Sequence, residues 1–96
     1  MLFVARCVDK PHSLDKRMEN RPAHLAYLNG LGSRVKVSGA LLAAHHTTPV
    51  GATIILEAES EDEVLALLAK DPYSLVVLFE SASVWPWRPG VGQSLV

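Results

Sequence analysis

The apolar residues of this chain fall into short bursts whose spacing lays out an order of elements. Leu2 to Val8 is apolar at every position except Arg6. That length suits a strand, and its two faces, Phe3/Ala5/Cys7 and Leu2/Val4/Val8, are both apolar, so both need covering. Asp9-Lys10-Pro11-His12-Ser13 is turn chemistry. Leu14, Met18, Leu25 and Leu28 then recur at helical spacing. Pro22 suits the first turn of a helix better than its interior. The pattern therefore predicts a helical turn over 14–19, with Ser13 or Asp15 as cap, and a helix over about 21–31 ended by Gly30 and Gly32.

Arg34 to Ser38 alternates strictly, with Val35, Val37 and Leu41 on one face and Gly39 as an expected interruption. Residues 43–51, with His45-His46-Thr47-Thr48-Pro49, read as a polar loop. Ala52 to Glu59 alternates again. Ser60-Glu61-Asp62-Glu63 has the form of a capping box, and three acids suit the positive end of a helix dipole. Val64, Leu67 and Leu68 form that helix's inward stripe. Asp71-Pro72 restarts a helical turn, with Asp71 as N-cap. Leu78 to Trp85 is the last strand, and 89–96 reads as a loose tail.

The order is β-α-β-β-α-β within one 96-residue domain. This is the α+β, ferredoxin-like split βαβ arrangement, a four-stranded antiparallel sheet with two helices on one face. The other face keeps apolar residues with no helix to cover them. A second copy of the chain is the simplest cover, so a homodimer packed through the sheet faces is expected.

Composition narrows the picture without naming a function. About half the residues are apolar and a fifth are charged, an ordinary globular balance. No apolar run approaches the roughly 18 residues of a membrane span. The start has no basic lead-in to a signal sequence, and Cys7 is the single cysteine, so the chain reads as cytoplasmic. The net charge of −1 removes whole-chain attraction to nucleic acid or anionic membrane. It hides an asymmetry: residues 1–50 hold seven Lys/Arg against three acids, and 51–96 hold two against seven. The bases are scattered and carry no aromatic platform, so no nucleic-acid partner is expected.

Few residues offer chemistry. His24 follows Arg21 by three positions at the edge of the helical stripe. It reads either as a partly exposed helical histidine or as a general base with Arg21 as an anion clamp. Asp71 reads as a cap, as the carboxylate that orients His24, or as both. Adjacent His45 and His46 have no cysteine or carboxylate at ligand spacing, and no metal is expected. Cys7 reads as a small core residue. Trp85 and Trp87 flank Pro86 and suit a pocket floor or a dimer seam.

Arg17-Met18-Glu19-Asn20-Arg21-Pro22-Ala23-His24-Leu25 resembles the R-x-x-x-R-P-x-H-L signature of the YciI-like, YCII-related domain family. Asp71-Pro72-Tyr73 is similar to that family's D-P-Y, and Val84-Trp85-Pro86-Trp87 to its V-x-P-[FW] ending. The likeness spans about residues 1–88. It implies a dimeric α+β barrel with a His–Asp pair at His24 and Asp71, and it brings in Arg21 and Tyr73 as residues of the same motifs. The segment from Gly39 to Gly51 is shorter than in many relatives, and Ser81 stands where some have histidine. With no metal set and no Gly-rich phosphate loop, the expected activity is cofactor-free proton transfer of lyase or isomerase type. The substrate would be a small, anionic or aromatic-derived metabolite. His24 and Asp71 would be catalytic, and Arg21, Tyr73 and Trp87 would bind substrate. A non-catalytic ligand-binding or accessory domain using the same pocket is the alternative.

Overall fold

The computed structural model describes residues 1–92; the last four positions of the expected tail, 93–96, lie outside the described residues. The elements are β1 (Leu2–Asp9), α1 (Leu14–Gly30), a 3-10 turn (Gly32–Arg34), β2 (Val35–Leu42), β3 (Pro49–Glu57), α2 (Glu61–Ala69), α3 (Pro72–Leu75) and β4 (Phe79–Trp87). The strands form one antiparallel sheet in the order β2-β3-β1-β4. This is the ferredoxin-like α+β fold.

Strand partners that stand directly opposite share a face. Phe3 lies opposite Leu56, Ala5 opposite Ile54 and Cys7 opposite Ala52. All six are buried, and all but Ala52 pack in one cluster with Leu28 of α1 and with Val64 and Leu68 of α2. Both helices therefore cover the same face. On the other face Val4 pairs with Ile55 and with Trp85, and Ile55 pairs with Val37. Trp85 is 66% exposed and Val37 45%, so this apolar face is open in the single chain. Among the described residues no helix is long and apolar enough to cross a membrane.

Several expectations change. One continuous helix replaces the expected turn and second helix, because α1 runs straight through Pro22. A proline there leaves the Met18 carbonyl without its helical N–H partner. Met18 and Pro22 are both exposed, so water satisfies that carbonyl at little cost. The helix also faces the sheet differently from the expected stripe. Its buried residues are Arg17, His24 and Leu28, while Leu14, Met18 and Leu25 are exposed.

In the sheet, β2 continues through Gly39. Its irregularities fall at Val35/Val37 and Leu41/Leu42. The last strand carries Pro86 to reach Trp87, which an edge strand tolerates because its outer N–H positions need no partner. Gly51 is the glycine the sheet requires. A Cβ there would stand 2.3 Å from the Cys7 carbonyl oxygen.

Ser60 caps α2 as expected, accepting from the Glu63 N–H at 3.1 Å. The Glu63 carboxylate turns instead toward Arg34, 3.9 Å away. At the start of α1, the Ser13 hydroxyl donates to the Pro11 carbonyl rather than capping the helix.

Candidate active site

The polar end of the layer between helices and sheet is built from four short stretches of chain. Asp71 enters through its capping role. Its Oδ1 accepts the Tyr73 N–H at 2.9 Å and starts α3, with Pro72 next in line. The cap fixes the carboxylate where α1 passes. His24 Nδ1 lies 2.8 Å from both Asp71 oxygens, and both residues are buried. An ionised carboxylate only accepts, so beside one Nδ1 carries a proton, and a neutral ring held this way has its lone pair on Nε2. That is the tautomer a general base requires.

Tyr73 completes the pair. Its ring stacks on the His24 imidazole with centroids 3.9 Å apart and planes 14° apart, and Phe79 meets its edge at 5.9 Å. The turn behind it is pinned by the Leu78 N–H, which donates to the Tyr73 carbonyl at 2.9 Å. Val77, with φ at 57°, absorbs the backbone strain of that turn. Burial pushes the Tyr73 phenol above its ordinary value of 10, with Arg17 and Arg21 pulling the other way. It is therefore neutral near pH 7.

Arg17 opens the R-x-x-x-R-P-x-H-L motif but drew no site role from the sequence, and Asp9 read only as turn chemistry, yet the two anchor this end. Arg17 is 4% exposed and donates through Nε to Asp9 Oδ2 at 2.7 Å. It also donates to the Gly51 carbonyl at 2.7 Å and to the Tyr73 hydroxyl at 3.4 Å. The signal was available in the spacing. Arg17 and His24 are seven residues apart, two helical turns, and so share a face.

Arg17, Arg21, His24 and Tyr73 wall a cleft of about 140 Å3 that is closed on the β2 side by residues 38–40. Arg21 is exposed at its mouth. A larger, mostly apolar hollow of about 280 Å3 opens nearby between residues 8–14 and 48–50. The smaller cleft holds the histidine and is the candidate site. Trp87 is not brought to it. It pairs with Leu2 at the far end of β1 and faces the open side of the sheet. His45 lies in the loop before β3, where its Nε2 bonds Thr48 Oγ1 at 2.6 Å. Cys7 is fully buried, and its thiol is pushed up to about 11 by burial first and by Asp71 and Asp9 next.

Comparison with known proteins places these residues in context. Residues 1–88 match the YCII-related domain family. The chain is 37% identical over 95 residues to Protein YciI of Escherichia coli, covering 92% of this chain and 97% of that one. Among solved structures it is similar to a 5-chloro-2-hydroxyhydroquinone dehydrochlorinase from Burkholderia phenoliruptrix in complex with 2,5-dihydroxybenzoquinone. The TM-score is 0.89 and the identity 38%, over 94% of this chain and 96% of that one. A putative antibiotic biosynthesis monooxygenase from Bacteroides thetaiotaomicron shares the fold, with TM-score 0.54 and 16% identity over 98% and 95% of the two chains.

Proposed function

The chain belongs to the YCII-related domain family, and from that premise we propose that it is a small proton-transfer enzyme of lyase type. Its substrate is a small, oxygenated, ring-derived anion, and its reacting groups are His24 and Asp71. The observation that carries this reading is the buried pair itself, with Nδ1 2.8 Å from both carboxylate oxygens. Asp71 holds the tautomer and His24 Nε2 takes a proton from the substrate. In an elimination, the pair of electrons left behind forms the new double bond and the leaving group departs as an anion. Placing the base correctly is worth roughly 10²–10⁴-fold in rate. Arg21, exposed at the cleft mouth without a hydrogen bond or ion pair among the described residues, balances the substrate's charge. The choice of elimination and of a hydroxylated ring is supported by the likeness to the dehydrochlorinase, at 38% identity across nearly the whole chain.

The open sheet face, with Val4, Ile55, Val37 and Trp85, is read as the seat of a second copy. A monomer in solution would remove that part of the proposal. The catalytic part is tested with His24→Ala and 5-chloro-2-hydroxyhydroquinone, following chloride release. The variant is expected to keep its circular dichroism spectrum and lose turnover. Turnover at the wild-type rate would defeat the assignment of His24 as base.

A further inference from the structure

Leu14, Met18, Arg21 and Leu25 recur along α1 at steps of four, three and four residues, which places all four on one stripe of the helix. A stripe of this kind ordinarily faces a core. Here Arg17, His24 and Leu28 take the inward side, and Leu14 is left 42% exposed, Met18 50% and Leu25 37%. Apolar residues exposed singly are ordinary, but a row of them along one helix marks a binding surface.

The two ends of the row open on two hollows. Arg21 and Leu25 wall the cleft that holds His24, together with residues 38–40 of β2. Leu14 walls the larger, mostly apolar hollow, together with Thr48, Pro49 and Val50. Met18 stands between them, about one turn from Leu14 and from Arg21. The strands alongside run the same way. β2 and β3 stay paired from Ser38 opposite Ile54 to Leu42 opposite Pro49, and Leu42 is 52% exposed. By itself the cleft, at about 140 Å3, falls short of the roughly 300–1,000 Å3 of ordinary ligand sites. With the hollow of about 280 Å3 it enters that range.

We propose that the cleft and the hollow are the two ends of one trough, and that the substrate spans it as a hydroxylated ring bearing a hydrocarbon arm. This deepens the proton-transfer reading above and rests on it. The ring reacts at His24, and the arm runs along α1 past Met18 to the hollow beside Leu14. Arg21 and Leu14 lie seven positions apart, about 10 Å along the helix axis, so a short chain covers the distance. Leu14 and Met18 offer the arm no hydrogen-bonding group, which is why the arm is hydrocarbon rather than sugar or peptide. Its binding takes no part in the chemistry but holds the ring against the base. Leu14 and Met18 are thereby specificity-determining residues.

The test compares the affinity of the whole protein for 2,5-dihydroxybenzoquinone with that for its 3-hexyl derivative, both read by absorbance titration. The hexyl compound is expected to bind about 10- to 100-fold more tightly to wild type, because each methylene moved from water to apolar surface is worth up to about fourfold. Leu14→Gln combined with Met18→Gln keeps good helix formers at exposed positions and should abolish that gain. Leu65→Gln removes an exposed leucine from α2, beside residues 82–86 of β4, and should leave the gain intact. Equal binding of the two quinones by wild type would overturn this inference and leave the proton-transfer reading standing. A gain that survives in the Leu14/Met18 variant, or that Leu65→Gln removes equally, would also overturn it. Light scattering separates the other occupant: a lower mass for the Leu14/Met18 variant than for wild type would assign the row to contact between copies and overturn the trough. Binding of neither quinone would remove the substrate class of the proposed function, and this inference with it.

Discussion

Between the helices and the sheet, the two ends of one layer are built from opposite materials. At the Phe3 end, Leu56, Leu28, Val64 and Leu68 meet with no polar side chain among them. At the Asp9 end, Arg17, His24, Asp71 and Tyr73 are just as dry but are joined by hydrogen bonds and stacking. The same helix feeds both ends, with Leu28 in the first and Arg17 and His24 in the second. Apolar burial contributes roughly 25 cal/mol per Å2 and needs no direction. The polar end gains little net stability from burial but fixes atoms in orientation. The apolar end therefore holds the fold together, and the polar end is what that stability supports.

The largest separation should come from Asp71→Asn. Asparagine caps a helix about as well as aspartate, so the bond from the Tyr73 N–H survives and α3 still starts. The neutral amide, however, no longer holds the imidazole as a carboxylate does. Turnover of 5-chloro-2-hydroxyhydroquinone is expected to fall by about 10²–10⁴-fold, with urea unfolding changed by no more than about 1 kcal/mol. A parallel loss of activity and stability would erase the distinction between the two ends.

Leu56→Ala probes the other end. Leu56 is 2% exposed and packs at the centre of the apolar cluster. Its truncation is expected to cost about 2–5 kcal/mol in urea unfolding, a large share of the roughly 5–15 kcal/mol of an ordinary domain. Turnover per folded molecule should stay at the wild-type level. A matching collapse in turnover would mean that the apolar end also positions His24.

Cys7 sits at the junction, on the same face as Phe3 but close enough to Asp9 and Asp71 to feel both charges. Its folded thiol is raised to about 11 from an ordinary 9.0, burial being the main cause. The folded chain therefore holds a proton that the unfolded chain loses first. The associated stability is fully present below pH 9 and is lost as pH rises from 9 through about 11. Urea unfolding across that window should show a decline on the order of 2 kcal/mol. Cys7→Ala should flatten it. An unchanged slope in that variant would place the titration elsewhere, with the raised phenols of Tyr27 and Tyr73 next to examine.

How far these two ends were legible in the sequence follows from the same contrast. The apolar end announces itself, because alternation at Phe3/Ala5/Cys7 and the Val64/Leu68 spacing are direct consequences of burial. The element order and the helix-bearing face came from that pattern. On α1 the pattern misled, since Leu14, Met18 and Leu25 stand on an exposed flank while two inward positions are charged or titratable. Hydropathy assigns a buried arginine to solvent unless its partner is known, and Asp9 lies in another element. Pro22 and Pro86 looked like breaks because local propensity cannot see that one faces water and the other lies on a sheet edge. His24 and Asp71 became legible through the R-x-x-x-R-P-x-H-L and D-P-Y motifs rather than through spacing.

The smallest effect compares two helix caps. Ser60 and Asp71 both accept a backbone N–H at the start of a helix, at 3.1 Å from Glu63 and 2.9 Å from Tyr73. Ser60 is exposed and its hydroxyl serves the helix alone, whereas Asp71 is buried and divides its carboxylate between the helix and His24. Ser60→Ala removes one acceptor from α2 and leaves the acids of its first turn in place. It should lower stability by about 1 kcal/mol, within a range of roughly 0.5–2, and leave turnover and quinone affinity untouched. Because α2 supplies Val64 and Leu68 to the apolar end, this variant loosens that end without disturbing the cleft. A fall in affinity on Ser60→Ala would show the two ends to be mechanically coupled through the sheet. An unchanged turnover, set beside the loss of turnover in Asp71→Asn, would show that a cap becomes part of the site only through the second bond it makes.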